Sequence, residues 1–154
     1  MPLRFWYEPN GTQHNDVFLR LAETTRTVDS YYFALDTHFG DREDDAKVRA
    51  VVAFLLNDWE TALSRLIESQ AVYLPFDFSD QYIGGLECRR SGDSFVIRTG
   101  WTQEYEGHSL YPSDSGRFIH NPGAFMPAEV GPVRLSAEAV FEGIRWSIEH
   151  ASQG

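Results

Sequence analysis

One cysteine, one lysine and no long apolar run set the first limits on this chain. Cys88 by itself can form no internal disulfide, and without a CxxC pair there is no cysteine framework for a structural zinc. The fold is therefore expected to hold under reducing conditions. No stretch of about 18 apolar residues occurs, and the amino terminus, MPLRFWYEPNG, lacks the apolar run of a secretory signal. A cytoplasmic protein without a membrane segment is the expectation. Also missing are a Walker loop, a GxGxxG turn, a GxSxG elbow and any HxxxH or HExxH pair among the five histidines. These absences argue against nucleotide loops, the hydrolase elbow and helix-borne zinc.

Positive charge is scarce as well. The chain carries 13 bases against 23 acids, a net charge of −10, and Lys47 is its only lysine. Nucleic acid and anionic membranes are recognised by positive surfaces that release counterions, so both are disfavoured as partners. Basic surfaces are attracted instead.

What the chain does have is aromatic and apolar material: four Trp, seven Tyr and eleven Phe, with 42% hydrophobic residues overall. That is ample for a core without staples, and 154 residues with no linker or internal repeat imply one domain spanning residues 1–154. Residues 3–8 and 17–21 read as strands, separated by a Pro9-Asn10-Gly11 turn. Residues 28–37 suggest another strand from their β-prone aromatics, although a short helix fits nearly as well.

The clearest element is a long helix beginning near Asp41. Val48, Val52, Leu55, Leu56, Trp59, Leu63, Leu66 and Ile67 recur at spacings of three and four and form one apolar stripe. Asp41 is the expected N-cap, with Glu43, Asp44 and Asp45 in the favourable field of the helix start and Glu43–Lys47 and Asp45–Arg49 as i,i+4 pairs. Pro75 within residues 72–78 marks an edge strand or a bend. Residues 86–90 and 94–99 around Ser91-Gly92-Asp93 form a hairpin, and a further strand is expected over 101–110. Alternation makes Phe95, Ile97, Trp101 and Tyr105 its core face and turns Arg98, Thr102, Glu104, Glu106 and His108 outward, apart from any bulge at Gly100.

Residues 112–132, with four prolines and an Asn121-Pro122-Gly123 turn, form a loop too long to be a simple connector. A final helix follows, capped by Ser136, with Val140, Phe141, Ile144, Ile148 and Ala151 as its buried stripe and Trp146 off it. This order predicts an α+β fold: a mainly antiparallel sheet with a long central helix and a C-terminal helix packed on one face.

Several constellations invite chemistry. Glu104, Glu106 and His108 occupy every second position of the expected strand and share a face, but Cβ atoms at i and i+2 are about 7 Å apart, so a shared metal needs help from another element. Glu104 with Glu106, or Asp77 with Asp80, are candidate carboxylate pairs for acid/base work, which requires a cleft. Cys88 lies in a strand whose neighbours Arg89 and Arg90 point to the other face, so an inert thiol is expected. The histidines are dispersed and read as structural.

Acids at Asp36, Asp41, Glu43, Asp44 and Asp45 outnumber what capping needs. Together with amphipathic aromatics, the residues that anchor interfaces, they suggest a protein-binding surface. The residues assigned to it are Asp41, Glu43, Asp44, Asp45, Tyr82, Trp101, Glu104, Glu106, His108 and Tyr111; no catalytic residue, cofactor or metal is assigned, and a monomer or homodimer is expected.

The segment FVIRTGWTQEYEGHSLYPSD, followed by a loop and RLSAEAVFEGIRWSIEHA, resembles bacterial immunity proteins of polymorphic toxin systems over residues 86–151. The likeness lies in layout: strand, aromatic-rich strand, Tyr-Pro-Ser turn, loop and C-terminal helix. It implies a cytoplasmic inhibitor without chemistry of its own, which masks a basic site on a cognate toxin domain by electrostatic and shape complementarity. The alternatives are a small metal-assisted or paired-carboxylate hydrolase with residues 112–132 as a lid, and a structural subunit of a larger assembly.

Overall fold

Alternating burial organises the first sheet. In the computed structural model, which describes residues 1–105 and 110–153, β1 (Leu3–Tyr7) and β2 (Val17–Leu21) each bury every second residue. Antiparallel pairing of Leu3 with Leu21, Phe5 with Leu19 and Tyr7 with Val17 puts all six on one inward face. Then β3 (Thr24–Val28) pairs with β2 and ends the sheet. The second sheet has the order β4-β5-β6-β7, from β4 (Ala71–Phe78), β5 (Ile83–Ser91), β6 (Ser94–Thr102) and β7 (Met126–Pro127); β8 (Val133–Ser136) pairs with another stretch of β6. All pairings are antiparallel, and the α+β expectation holds, with the strands divided between two sheets.

The described residues also form four α-helices: α1 (Tyr31–Ala34), α2 (Asp45–Ser64), α3 (Ser115–His120) and α4 (Ala137–Ala151). The stripe on α2 is buried through Val48, Val52, Leu55, Leu56, Trp59 and Leu63, while Ile67 lies beyond the helix and is exposed. Trp59 joins the two sheets. Its ring meets Phe5 of β1 at 5.2 Å, and its indole N–H donates to the Pro75 carbonyl of β4 at 3.1 Å. Phe95 of β6 meets Phe141 of α4 at 5.9 Å, so α4 closes the other side of the same core.

Helices also cover sheet edges. The outward backbone N–H of Phe5 on β1 donates to Ser147 Oγ of α4 at 3.0 Å, and that hydroxyl donates to the Gly143 carbonyl at 2.7 Å. Gly143 is required there, because a Cβ would overlap the Leu3 carbonyl. At the far edge, α3 packs along β4. By contrast, residues 24–27 of β3 are all exposed. An unpaired edge is a potential pairing template.

Several expectations are corrected. Residues 28–37 hold no strand beyond Val28; they form α1 and lead into a short 3-10 turn, Thr37–Phe39. Asp44, in extended conformation, is the N-cap of α2 in place of Asp41, and its carboxylate accepts from the Lys47 backbone at 3.0 Å. Neither i,i+4 ion pair closes: Lys47 Nζ donates to the Gly40 carbonyl at 2.7 Å, and the Arg49 guanidinium lies 5.4 Å from the Tyr7 ring centroid. The strand expected over 101–110 ends at Thr102, because its partner β5 begins at Ile83, which pairs with Thr102. Past that point the Glu104 N–H donates to Thr102 Oγ1 at 3.3 Å, and the chain turns. The 112–132 loop contains α3 and β7.

Candidate functional site

A pair of consecutive glycines in β5 shapes both faces of the second sheet. Gly85 pairs with Gly100 of β6. A Cβ on Gly85 would meet the Phe118 ring at 2.8 Å, and one on Gly100 would meet the Phe125 ring at 2.6 Å. The absent side chains leave a trough that these two rings fill. Phe125 also contacts Tyr73 of β4 at 5.0 Å, so the long loop packs a second apolar layer on this outer face.

Gly84 serves the opposite face. It pairs with Trp101 of β6 on one side and with Asp77 of β4 on the other, and directly opposed residues share a face. Asp77 reaches this position only because β4 bulges between Pro75 and Asp77, which leaves Phe76 as the extra residue. Without the bulge, Asp77 would point to the other face, with Tyr73 and Pro75. The row Asp77–Gly84–Trp101 thus forms a notch with a glycine floor, a carboxylate on one wall and an indole on the other.

The notch lies in a cleft of about 400 Å³ between this sheet and β3, also lined by Arg26, Tyr82 and Gln103. Tyr82 hydroxyl donates to Asp77 Oδ2 at 3.1 Å. Burial pushes the Asp77 carboxyl up to about 6; the Tyr82 hydrogen bond and Arg26 oppose that rise, while Asp29 adds to it. In return the Asp77 charge, followed by burial, pushes the Tyr82 phenol up to about 12. Arg26 donates to Thr99 Oγ1 at 3.3 Å and makes no ion pair with Asp77. The cleft therefore holds both a cation and a carboxyl whose pKa is raised.

Of the residues expected to bind a partner, Tyr82 and Trp101 meet here, each 37% exposed. Trp101 was expected on the core face; it does share the face of Phe95 and Ile97, but the helices do not cover that end of the sheet. Tyr105, expected beside it, is half-buried and donates through its hydroxyl to the Asn121 carbonyl at 2.6 Å. The four acids at the start of α2 form a separate group. Asp44 caps the helix and pairs with Arg42 at 2.7 Å, and Asp45 accepts from the Tyr7 hydroxyl at 2.7 Å, while Asp41 and Glu43 are exposed.

Glu104 is not on a strand face. Its carboxylate accepts from the Ala124 N–H and fastens the Asn121-Pro122-Gly123 turn. Glu106 and His108 lie outside the described residues. Tyr111 stands edge-on to His38, with ring centroids 6.0 Å apart, and its N–H donates to Asp114 at 3.1 Å. The expected surface is thus divided into a cleft, a helix start and loop anchors.

Asp36, His38 and Ser113 come together as a serine triad would, yet Ser113 Oγ (2.8 Å) and Asp36 (3.4 Å) both face Nδ1 of His38. A triad histidine must use its two nitrogens for the two partners. Buried Asp36 instead accepts from the Ser113 backbone N–H at 2.8 Å, the Ser113 hydroxyl at 2.9 Å and the His38 backbone N–H at 3.1 Å, which makes it an anchor for the loop. Cys88 is fully buried, and burial, followed by the Glu87 charge, raises its thiol pKa. Of the carboxylate pair Asp77 and Asp80, only Asp77 lines the cleft. Among the described residues no three His, Cys, Asp or Glu side chains form a metal-binding set, and none of their helices is long and apolar enough to cross a membrane.

Arg26 and the glycine floor were not assigned from sequence. The available signal was Gly84-Gly85 inside a strand, which marks close approach by another group. Compared with known proteins, the chain matches no family model, no curated protein and no solved structure.

Proposed function

We propose that this protein is an acidic, cytoplasmic inhibitor that binds a basic partner directly, a cognate toxin domain of a bacterial polymorphic system. The observation that carries this reading is the placement of Tyr82 and Trp101 on one concave cleft beside Asp77, in a chain of net charge −10. Interfaces draw most of their energy from a few aromatic anchors seated in pockets, and opposite charge steers the encounter. Asp41 and Glu43 at the helix start add to that steering. The test is capture of a basic protein from a native bacterial lysate by the tagged chain, repeated with the Tyr82→Ala/Trp101→Ala variant. Retention by the parent alone, with loss of the partner's toxicity on mixing, supports the reading. Equal retention by both proteins overturns the role of the cleft.

A second reading rests on Asp77 alone. A carboxyl titrating at about 6 in a cleft is suited to general acid/base work near neutral pH, as in a small hydrolase. Turnover of a substrate that disappears in Asp77→Asn, with stability retained, would favour this reading over inhibition.

A further inference from the structure

The notch has the dimensions and chemistry of a receptor for one particular side chain. Asp77 and Trp101 stand two strand spacings apart across Gly84, roughly 9.5 Å at the backbone. A cation seated about 6 Å or less from a ring centroid and about 2.8 Å from a carboxylate oxygen spans such a gap. A Cβ on Gly84 would stand 2.9 Å from the Asp77 Cβ, 3.6 Å from its Oδ2 and 3.7 Å from its Cγ, so the glycine lets the Asp77 side chain lean over the floor of the notch.

Trp101 is the tryptophan whose ring is still without a partner among the described residues. Arg4 lies 5.1 Å from the ring centroids of both Trp6 and Trp146, and Trp59 is buried against Phe5. No ring or cation of the described residues covers Trp101 in this way. Asp77 is similarly under-satisfied: its hydrogen-bond donor is the neutral Tyr82 hydroxyl, although a carboxylate can accept several bonds. Arg26, the cation of the cleft, is tied to Thr99 instead. An indole with no ring or cation over it and a carboxylate with one neutral donor therefore line one slot.

We propose that the Asp77–Gly84–Trp101 notch receives the guanidinium of an arginine side chain presented by the basic partner, stacked on the indole and hydrogen-bonded to the carboxylate. This proposal rests on the protein-binding reading and specifies its anchor. Arginine is favoured over lysine because a planar guanidinium can stack on a ring face and present paired N–H donors edge-on to a carboxylate. Arg26 is the like charge that such a ligand meets, so its removal should strengthen binding.

The test is a titration of the isotope-labelled full chain with acetyl-Gly-Arg-Gly-amide, beside a twin in which citrulline, a neutral isostere, replaces arginine. Amide and indole resonances are followed by NMR. The arginine peptide should shift the Trp101 indole N–H and the Gly84 amide, and the citrulline twin should bind about tenfold more weakly or not at all, as expected for a lost charge-assisted contact. Asp77→Asn should reduce arginine binding by a similar factor, and Arg26→Ala should increase it. Equal binding of the two peptides, binding unaffected by Asp77→Asn, or shifts confined to residues away from the notch would overturn the proposal. The two readings fail separately. Capture of a basic protein that ignores Asp77→Asn leaves the inhibitor and removes the notch as its anchor; arginine binding with no protein partner leaves the notch and removes the inhibitor.

Discussion

The hydroxyl of Tyr82 donates to the carboxylate of Asp77 at 3.1 Å, and each residue moves the other's titration. The hydrogen bond favours the ionised carboxylate, while burial opposes it and wins, so that Asp77 titrates at about 6 rather than 3.8. Because the folded value lies above the unfolded one, the native state binds more protons between these values. Stability should consequently fall as pH rises from about 4 to about 6. The expected loss is of order 2 kcal/mol. Asp77→Asn should remove that component, leaving a denaturant midpoint that changes less over the same window; parallel profiles for the two proteins would contradict the assignment.

Tyr82 offers a reciprocal check. Its phenol is held up to about 12, first by the Asp77 charge and then by burial. In Asp77→Asn the charge is gone, and phenolate absorbance assigned by difference to Tyr82 should develop at lower pH. In Tyr82→Phe the carboxylate loses a donor that stabilised it, so the Asp77 midpoint, followed by carboxyl NMR shifts, should move above 6.

The contact of α4 with β1 is predicted to be intolerant of small additions. Gly143→Ala would drive a methyl into the Leu3 carbonyl, and neither a helix backbone nor a paired strand yields easily. A loss of about 3 kcal/mol or more is expected in urea unfolding. Ser147→Ala should be milder, at about 1–3 kcal/mol, because it leaves the buried Phe5 N–H without an acceptor.

Asp36 and Ser113 separate an anchor from a nucleophile. Asp36→Ala would orphan three donors and should cost about 2–4 kcal/mol. Ser113→Ala removes one hydroxyl and should cost about 1 kcal/mol. Ser113 should also resist a serine-reactive fluorophosphonate, since His38 presents the same nitrogen to both partners; rapid labelling would require a rearranged site.

Trp59→Phe probes the link between the sheets. The ring is mostly replaced, but the Pro75 carbonyl loses its indole donor. About 1–3 kcal/mol of destabilisation is expected by thermal or chemical unfolding; no change would mean that the hydrogen bond contributes little beyond packing.

Local pattern was sufficient wherever one periodicity dominated. Val48, Val52, Leu55, Leu56, Trp59 and Leu63 could face one way only on a helix, and all are buried. Leu3, Phe5 and Tyr7 did the same for a strand, and Ser136 accepts from the Ala139 N–H at 3.1 Å as a cap should. Residues 28–37 were undecided because their aromatics suit helix and strand alike. The strand expected through 110 failed because alternation says nothing about where a pairing partner begins.

Sequence alone determined the α+β composition, the two long helices, the acidity and the want of cysteine and lysine, since these depend on residue types and short spacings. Tertiary structure decided the candidate site. A bulge turned Asp77 onto the face of Gly84 and Trp101, and the register of three strands aligned them. Packing of the long loop over Gly85 and Gly100 filled the opposite face and left this one open. Register and layer coverage are long-range choices among many pairings, and no window of the chain contains them.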